Sequence, residues 1–505
     1  MKTLTRRKFL EASAVGIGTT LLSARGWTQV VGANSDVRVA VVGLNGRGRN
    51  HLASLARIPG VRIVALCDVD TAVLDRVKAS TVNGRQPYAA AKTYVDLRDL
   101  LAASDVDAIT IATPNHWHAL QAIWACQAGK DAYVEKPVSH NVWEGRQLVA
   151  AAAKYQRVVQ AGTQIRSGEG LREAVAWIQA GNLGKITAAR GFCYKRRASI
   201  GRAGGEQPIP STVNYDLWCG PAPREPLRRK QLHYDWHWVH ATGNGDIGNQ
   251  GIHQMDVARW FLGEAGLPRN TLSVGGRLGY VDDGETPNTQ VIVHDYASAP
   301  LIFEVRGLPS KPGDFKVDPN LTGAEAAGAA AASMDKYRGV SIGNVIDCEG
   351  GYVAIANYST ATVHAPDGKL IRRFDGKDTH MENFIEVVRS RKTADLFGPI
   401  GEGHVSSALC HLGSISHVVG RSMPPNDVRE AIKTNAPLAE ACGRMLEHLA
   451  VNQVDYAQTP LVLGLPLAID AKAERVAGPA AATANAWLTR NYRAPYVVPN
   501  LAGAA

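Results

Sequence analysis

The stretch Val39-Ala40-Val41-Val42-Gly43-Leu44-Asn45-Gly46-Arg47-Gly48 constrains the fold of this chain more than any other. A short apolar run enters a glycine-rich turn and then, from about Arg49 to Ile58, an amphipathic stretch. A strand, tight turn and helix in that order bring backbone close to a diphosphate and set the anion on the helix N-terminus. Gly43 and Gly48 hold the first and third glycine positions of that fingerprint, and Asn45 stands at the second. Asn tolerates left-handed backbone better than most side chains, and Gly46 and Arg47 complete the turn.

Fifty glycines in 505 residues make such a turn weak evidence alone. Its context strengthens it. Val61–Val69 reads as a second strand ending in Cys67-Asp68, about twenty residues beyond Gly48. A carboxylate there accepts from ribose hydroxyls and repels a 2′-phosphate, which predicts NAD in preference to NADP. Further apolar runs at Asp107–Thr113, Asp131–Val134 and Arg157–Gln164 alternate with helical stretches at His118–Ala128 and Asn141–Tyr155. Strands apolar on both faces and separated by helices predict a doubly wound parallel α/β sheet, a Rossmann domain over residues 36–164.

Past Gln164 the pattern changes. A helix at Gly170–Ala180 leads into β-type runs at Ile186–Tyr194, Thr271–Tyr280, Thr289–Ala297, Leu301–Gly307 and Tyr352–Phe374, with a Pro366-Asp367-Gly368 turn. These predict an α+β domain with a large mixed or antiparallel sheet over 165–424. Residues 425–505 read as a helical, then irregular tail, and Leu321–Ser333 as an Ala/Gly-rich surface loop. The apolar stretches are too short to span a bilayer, and there is no internal repeat.

The net charge of +9 is concentrated at the N-terminus, where residues 1–33 contribute +4. No run of five like charges occurs, which argues against a nucleic-acid partner. Thr5-Arg6-Arg7-Lys8-Phe9-Leu10 and the uncharged Ala12–Ala24 form a twin-arginine export signal, with Val31-Gly32-Ala33 as the cleavage site. It predicts a periplasmic or secreted protein, folded around its cofactor before export. The seven cysteines lack C-x-x-C spacing and read as free thiols.

Two loops complete the sheet edge. Thr113-Pro114-Asn115-His116-Trp117-His118 follows one strand, and Glu135-Lys136-Pro137 follows another. Ligands of open α/β sheets bind at that carboxyl edge. Thr113, Pro114, Asn115, His118 and Glu135 therefore join the cofactor set. A partly desolvated Lys136 near a nicotinamide can exchange a proton with a hydroxyl or carbonyl. His116-x-His118 lacks a third ligand at matching spacing, so no metal is expected. His233, His237 and His240 near Trp236 and Trp238 read as a sugar-binding or a packed aromatic segment.

Together with Gly162-Thr163-Gln164-Ile165-Arg166-Ser167, Asp216-Leu217-Trp218-Cys219-Gly220-Pro221, Gly251-Ile252-His253-Gln254-Met255-Asp256 and Asn491-Tyr492-Arg493-Ala494-Pro495-Tyr496, these motifs resemble the Gfo/Idh/MocA oxidoreductases, in a secreted bacterial branch. The resemblance covers residues 36 to about 420. It implies hydride transfer between NAD and a sugar, polyol or derivative, with Lys136 and His253 catalytic, and a dimer or tetramer built through the second sheet. The family's Asp, four residues before the His, falls on Asn249, which cannot carry charge. Asp246 or Asp256 is then a substitute, or Asn249 orients by hydrogen bonding. The expected substrate residues are Trp117, Gln164, Arg166, Trp236, Asp246 and His253. Two rival readings share the motifs: a glycosidase working by transient oxidation and elimination with bound NAD, and a non-catalytic sugar-binding protein.

Overall fold

The computed structural model describes residues 36–81, 84–312 and 332–502. The export signal over residues 1–33 and nearly all of the Leu321–Ser333 insert lie outside the described residues. The first sheet has six parallel strands in the order β3-β2-β1-β4-β5-β6. They are β1 Val37–Val42, β2 Val61–Cys67, β3 Lys92–Tyr94, β4 Ala108–Ile111, β5 Asp131–Val134 and β6 Val159–Ala161.

Alternation along β1 explains why both faces are apolar. Val37, Val39 and Val41 enter one core with Leu52 and Leu55 of the helix Arg47–Leu55 and Phe384 of the helix His380–Ser390. Ala40 and Val42 enter the other, with Leu120 and Ile123 of the helix Asn115–Gln127 and Leu148 of the helix Val142–Lys154. Side chains of a strand point alternately to either face, so each layer of helices receives one set. The helix after β4 starts at Asn115, ahead of the expected His118, because Pro114 stops the strand in an extended conformation and the first turn follows directly. His116, Trp117 and His118 are therefore helical.

The second sheet has 12 strands among the described residues and is mixed. β7 (Ile186–Tyr194) pairs parallel with β10 (Pro300–Arg306) and antiparallel with β11 (Ile342–Cys348). β8 (Asn270–Gly276) and β9 (Thr289–Asp295) extend one side. The expected Tyr352–Phe374 run is three strands, β12 Gly351–Ile355, β13 Thr360–His364 and β14 Leu370–Asp375, the last two joined at the Pro366-Asp367-Gly368 turn. β11 escapes the hydrophobic pattern because Gly343 and Asn344 interrupt it. Both are structural. A Cβ on Gly343 would lie 1.9 Å from the Ile355 carbonyl oxygen, and Asn344 Nδ2 donates to the Gln254 carbonyl at 2.7 Å.

The tail does more than pack along the body. Helices Pro425–Ile432 and Ala436–Val451 cover one face of β8–β10, burying Val274, Val291 and Ile302 against Leu438, Met445 and Leu449. Over these strands that face of the sheet is thus filled by the chain's own helices. Short strands β15 (Arg421–Ser422), β16 (Val462–Leu463), β17 (Leu467–Asp470) and β18 (Arg475–Ala477) then extend the sheet beyond β8.

Candidate active site

A cavity of about 510 Å³ lies between the carboxyl edge of the first sheet and the second domain. At one end is the glycine turn. Gly43 has φ 81°, and a Cβ on it would sit 2.7 Å from the Ala112 carbonyl. A Cβ on Gly48 would lie 1.9 Å from the Gly43 oxygen. These two glycines are required sterically: one for the turn, the other for close packing of the helix on it. The left-handed backbone falls on Gly43 and not on Asn45, whose Oδ1 instead accepts from Arg76 Nη2 at 2.8 Å. A Cβ on Gly46 would meet nothing within 4 Å, and no side chain caps the helix that begins at Arg47. Its first amides are left for an anion.

The rest of this end fits a dinucleotide equally well. Asp68 lines the cavity at the end of β2, accepting from the Leu44 amide at 2.8 Å and the Asp70 amide at 3.1 Å. Burial raises its pKa, against the lowering effect of those bonds. Thr113 Oγ1 donates to Gln121 at 2.8 Å. His118 bridges the two strand-end loops, its ring nitrogens 2.6 Å from the Pro137 carbonyl and 2.7 Å from that of Thr113. Asn115 Oδ1 is buried beside the cavity with no hydrogen-bond partner among the described residues. An orphaned buried acceptor, an uncapped helix and an open glycine surface form a cradle that fits a polar ligand.

At the other end stands Lys136, the residue after Glu135 and before a cis Pro137. Its Nζ donates to the main-chain carbonyl of Asn249 at 2.5 Å. Burial lowers its pKa first, with Arg47, Lys195 and Arg197 pushing the same way and Glu135 opposing. The buried Glu135 carboxylate accepts from Arg47 Nε at 2.7 Å, from Gln164 Nε2 at 3.1 Å, and lies 3.1 Å from His51 Nε2. Despite its burial, these partners hold its pKa well below the usual carboxylate range. Arg47 and Glu135 thus brace the cavity wall as a pair.

His253 opens the helix Ile252–Leu262, directly after a π-helical turn at Ile247–Gly251. Such turns recur at functional sites. Burial, with help from Lys136, drops its pKa well below the histidine range, so the ring is neutral. Its Nδ1 has no hydrogen-bond partner among the described residues, and Tyr358 lies 5.2 Å away, ring to ring.

Several expected substrate residues are engaged elsewhere. Asp246 is fully buried and paired with Arg197 (Nη2–Oδ1 2.6 Å). Asp256 accepts from Arg166 Nε at 2.8 Å and from Ser406 at 2.6 Å. Neither carboxylate replaces the missing Asp at 249, and neither Arg166 nor Asp246 lines the cavity. Arg166 is instead a core cation beneath Trp260. Trp117 reaches the cavity edge but donates its indole N–H to the Leu217 carbonyl at 3.0 Å and packs edge-on against Tyr496. Trp236 does line the cavity, stacked on His237, as does Gln164. The ring nitrogens of His116 lie against the Thr242 and Trp218 carbonyls. Sequence reasoning overlooked Lys195, Tyr358 and Gln250 on the cavity wall, where His233 and His237 of the expected aromatic segment also stand. The basic cluster Lys195-Arg196-Arg197 at the end of a strand was the one available signal. Tyr358, in a hairpin turn, offers none.

Residues 195–245 leave the second sheet after β7 and close over the crevice. Thr71 N donates to Thr212 O at 2.9 Å and Asn214 N to Val69 O at 2.9 Å, a short antiparallel bridge onto the Asp68 loop. His233 Nε2 lies 2.9 Å from Asp70 Oδ2. On the opposite wall Trp117 and His116 hold the Leu217 and Trp218 carbonyls. Arg493 and Tyr496 bind Asp216 at 2.6 and 2.9 Å, strapping the far side of the same segment.

Residues 37–163 match the oxidoreductase family described as an NAD-binding Rossmann fold, and residues 172–274 match that family's C-terminal alpha/beta domain. The chain belongs to the Gfo/Idh/MocA oxidoreductase family. Its first domain is thus that family's NAD-binding Rossmann fold, and the cradle at Gly43–Gly48 and Asp68 lies at the sheet edge where such a fold takes its dinucleotide. A glycosyl hydrolase family 109 protein of Shewanella baltica is 40% identical over 123 residues, a match spanning 24% of this chain and 27% of that relative. The WlbA dehydrogenase of Bordetella pertussis, solved with NADH and UDP-GlcNAcA, shares the fold with a TM-score of 0.51 at 20% identity, covering 74% of this chain and 94% of its own. An oxidoreductase of Thermotoga maritima superposes with a TM-score of 0.51 at 13% identity, covering 75% of this chain and 97% of its own. In this Gfo/Idh/MocA protein, Asn249 grips the lysine by its backbone. The side chain at 249 is not what holds Lys136 in place.

Proposed function

We propose that the protein is an exported oxidoreductase moving a hydride between a carbinol carbon of a sugar, polyol or derivative and an NAD that stays bound through the cycle. The observation that carries this reading is Lys136, a desolvated amine at the sheet edge, sharing one cavity with the glycine turn and with the neutral His253. Bound NAD supplies the hydride acceptor and, in the return step, the donor. Lys136 Nζ, oriented by the Asn249 carbonyl, takes the hydroxyl proton as the neutral amine and returns it as the ammonium. His253 offers a neutral ring nitrogen to the same hydroxyl, and Trp236 an apolar face for a sugar ring. Retention of the cofactor is supported by residues 195–245, which bind both walls of the crevice. Export is supported by the Thr5–Leu10 signal, and outside the cytoplasm a dissociating cofactor would not be replenished.

A second reading, glycoside cleavage through transient oxidation, is favoured by the name of the Shewanella relatives. Lys136 then serves the same proton transfer at the oxidised carbon. Protein as purified, with its own nicotinamide, is mixed with free sugars and with aryl glycosides, and reduced-nicotinamide absorbance and released sugar are followed together. An absorbance change with a free sugar supports oxidoreduction. Cleavage without net absorbance change supports the second reading, and silence in both channels removes both.

A further inference from the structure

The substrate end of the cavity carries unbalanced positive charge. Glu135 is engaged with Arg47, and Asp246 with Arg197. Lys136 points its ammonium at a neutral carbonyl. Lys195, half-buried on the same wall where β7 ends, has no side-chain hydrogen bond or ion pair among the described residues. Besides Glu135, the carboxylates lining the cavity are Asp68 and Asp96, both at the glycine-turn end, where Asp68 braces the Leu44 amide and Asp96 is held by Arg98. The histidines nearest the substrate end are neutral, His237 having its pKa pushed down to about 4 by burial. A cation drawn partly out of water with no carboxylate of its own is a site for an anion supplied from outside.

We propose that the substrate is an acidic sugar, bearing a carboxylate or a phosphate ester, and that Lys195 is the counter-ion that selects it. This rests on reading the cavity as a sugar site. It goes further by assigning the charge of the substrate to one residue outside the Lys136–His253 pair. The glycine turn and the uncapped helix at Arg47 already provide for the diphosphate of the cofactor, which leaves Lys195 for the second ligand.

The test uses matched trios of hexoses with gluco, galacto and manno configuration: the neutral aldose, its uronate and its 6-phosphate. Wild-type holoenzyme is expected to favour an acidic member of one trio in kcat/KM. The Lys195→Met variant should lower the ratio of acidic to neutral kcat/KM by roughly 10- to 100-fold, mainly through KM, as expected for the loss of one charge-assisted contact. Lys195→Arg should retain most of the preference, and the nicotinamide released on heat denaturation should stay at the wild-type level in both variants. The uronate and phosphate arms distinguish which anion is bound. Turnover of neutral sugars with no acidic preference, or an equal loss for acidic and neutral sugars in Lys195→Met, overturns the proposal and leaves the sugar reading standing. Loss of bound nicotinamide in Lys195→Met also overturns it, by assigning the residue to the cofactor. If no sugar of any charge binds or reacts, the sugar reading falls and the proposal with it.

Discussion

At the scale of single residues, the proposed chemistry rests on Lys136 and its surroundings. Its ammonium is destabilised by burial and by Arg47, Lys195 and Arg197, and stabilised by Glu135. A base must be neutral to accept a proton, so kcat/KM for oxidation should rise with pH along a limb centred below the ordinary lysine range. Removing a nearby positive charge stabilises the ammonium. The limb should therefore move to higher pH in Lys195→Met, a shift that a purely structural role for Lys195 would not produce. Lys136→Ala should lose about 10²- to 10⁴-fold in turnover while the nicotinamide content of the purified protein is unchanged. Full activity of that variant would remove Lys136 from the mechanism. Asn249 illustrates the same scale from the other side. Because the lysine is held by a main-chain oxygen, replacing the side chain there does not by itself release it.

At the scale of elements, the proposed retention of the cofactor rests on the segment between β7 and the π-helical turn. It has a small core of its own, with Val213, Tyr215, Trp218, Leu227 and Trp236 buried together. It is pinned to the Asp68 loop by backbone hydrogen bonds and by the His233–Asp70 contact. That contact is partly exposed, and such pairs contribute about 0.2–1 kcal/mol. His233→Ala should accordingly speed nicotinamide release by up to about fivefold, measured by dilution into an NAD-scavenging assay, without changing the melting temperature appreciably. An unchanged release rate would mean that the backbone bridge alone holds the segment.

For the whole molecule, buried neutral histidines set the acid limit. His116, His294 and His411 are almost fully buried, and desolvation pushes each down to about 3. In the unfolded chain they titrate near 6.5, so between about pH 6.5 and 3 the unfolded state binds more protons and stability falls as pH falls. By pH 5 each has lost about 2 kcal/mol, and together about 6 kcal/mol, comparable with the total stability of a folded protein. The melting temperature should drop steeply between pH 7 and 5, followed by differential scanning fluorimetry. A flat profile would show that these rings are solvated or charged in the native state. The histidines come from both domains, so the transition should report on the entire described body.

Much of this was legible in the sequence because it depends on local chemistry. Gly48 is fixed by a backbone clash with Gly43 and Gly43 by its left-handed φ, the parallel sheet by runs apolar on both faces, and the expected cofactor preference by one acid at the end of β2. Lys136 was legible for the same reason, standing at a strand end where ligands bind. What the chain does not announce is pairing across distance. Asp246 and Arg166 looked available because their partners, Arg197 and Asp256, are far away in the sequence. Asn249 looked like a lost charge because nothing local says that its carbonyl would do the holding. β11 was hidden by a glycine and an asparagine that only the neighbouring strand and helix make necessary. The sequence by itself determined the dinucleotide cradle and the lysine beside it, since both follow from short-range sterics and strand order. Only the tertiary structure decided which charges are neutralised and which, like Lys195, are left without an ion pair on the cavity wall, because ion pairing is settled by which distant side chains the fold brings within about 3 Å.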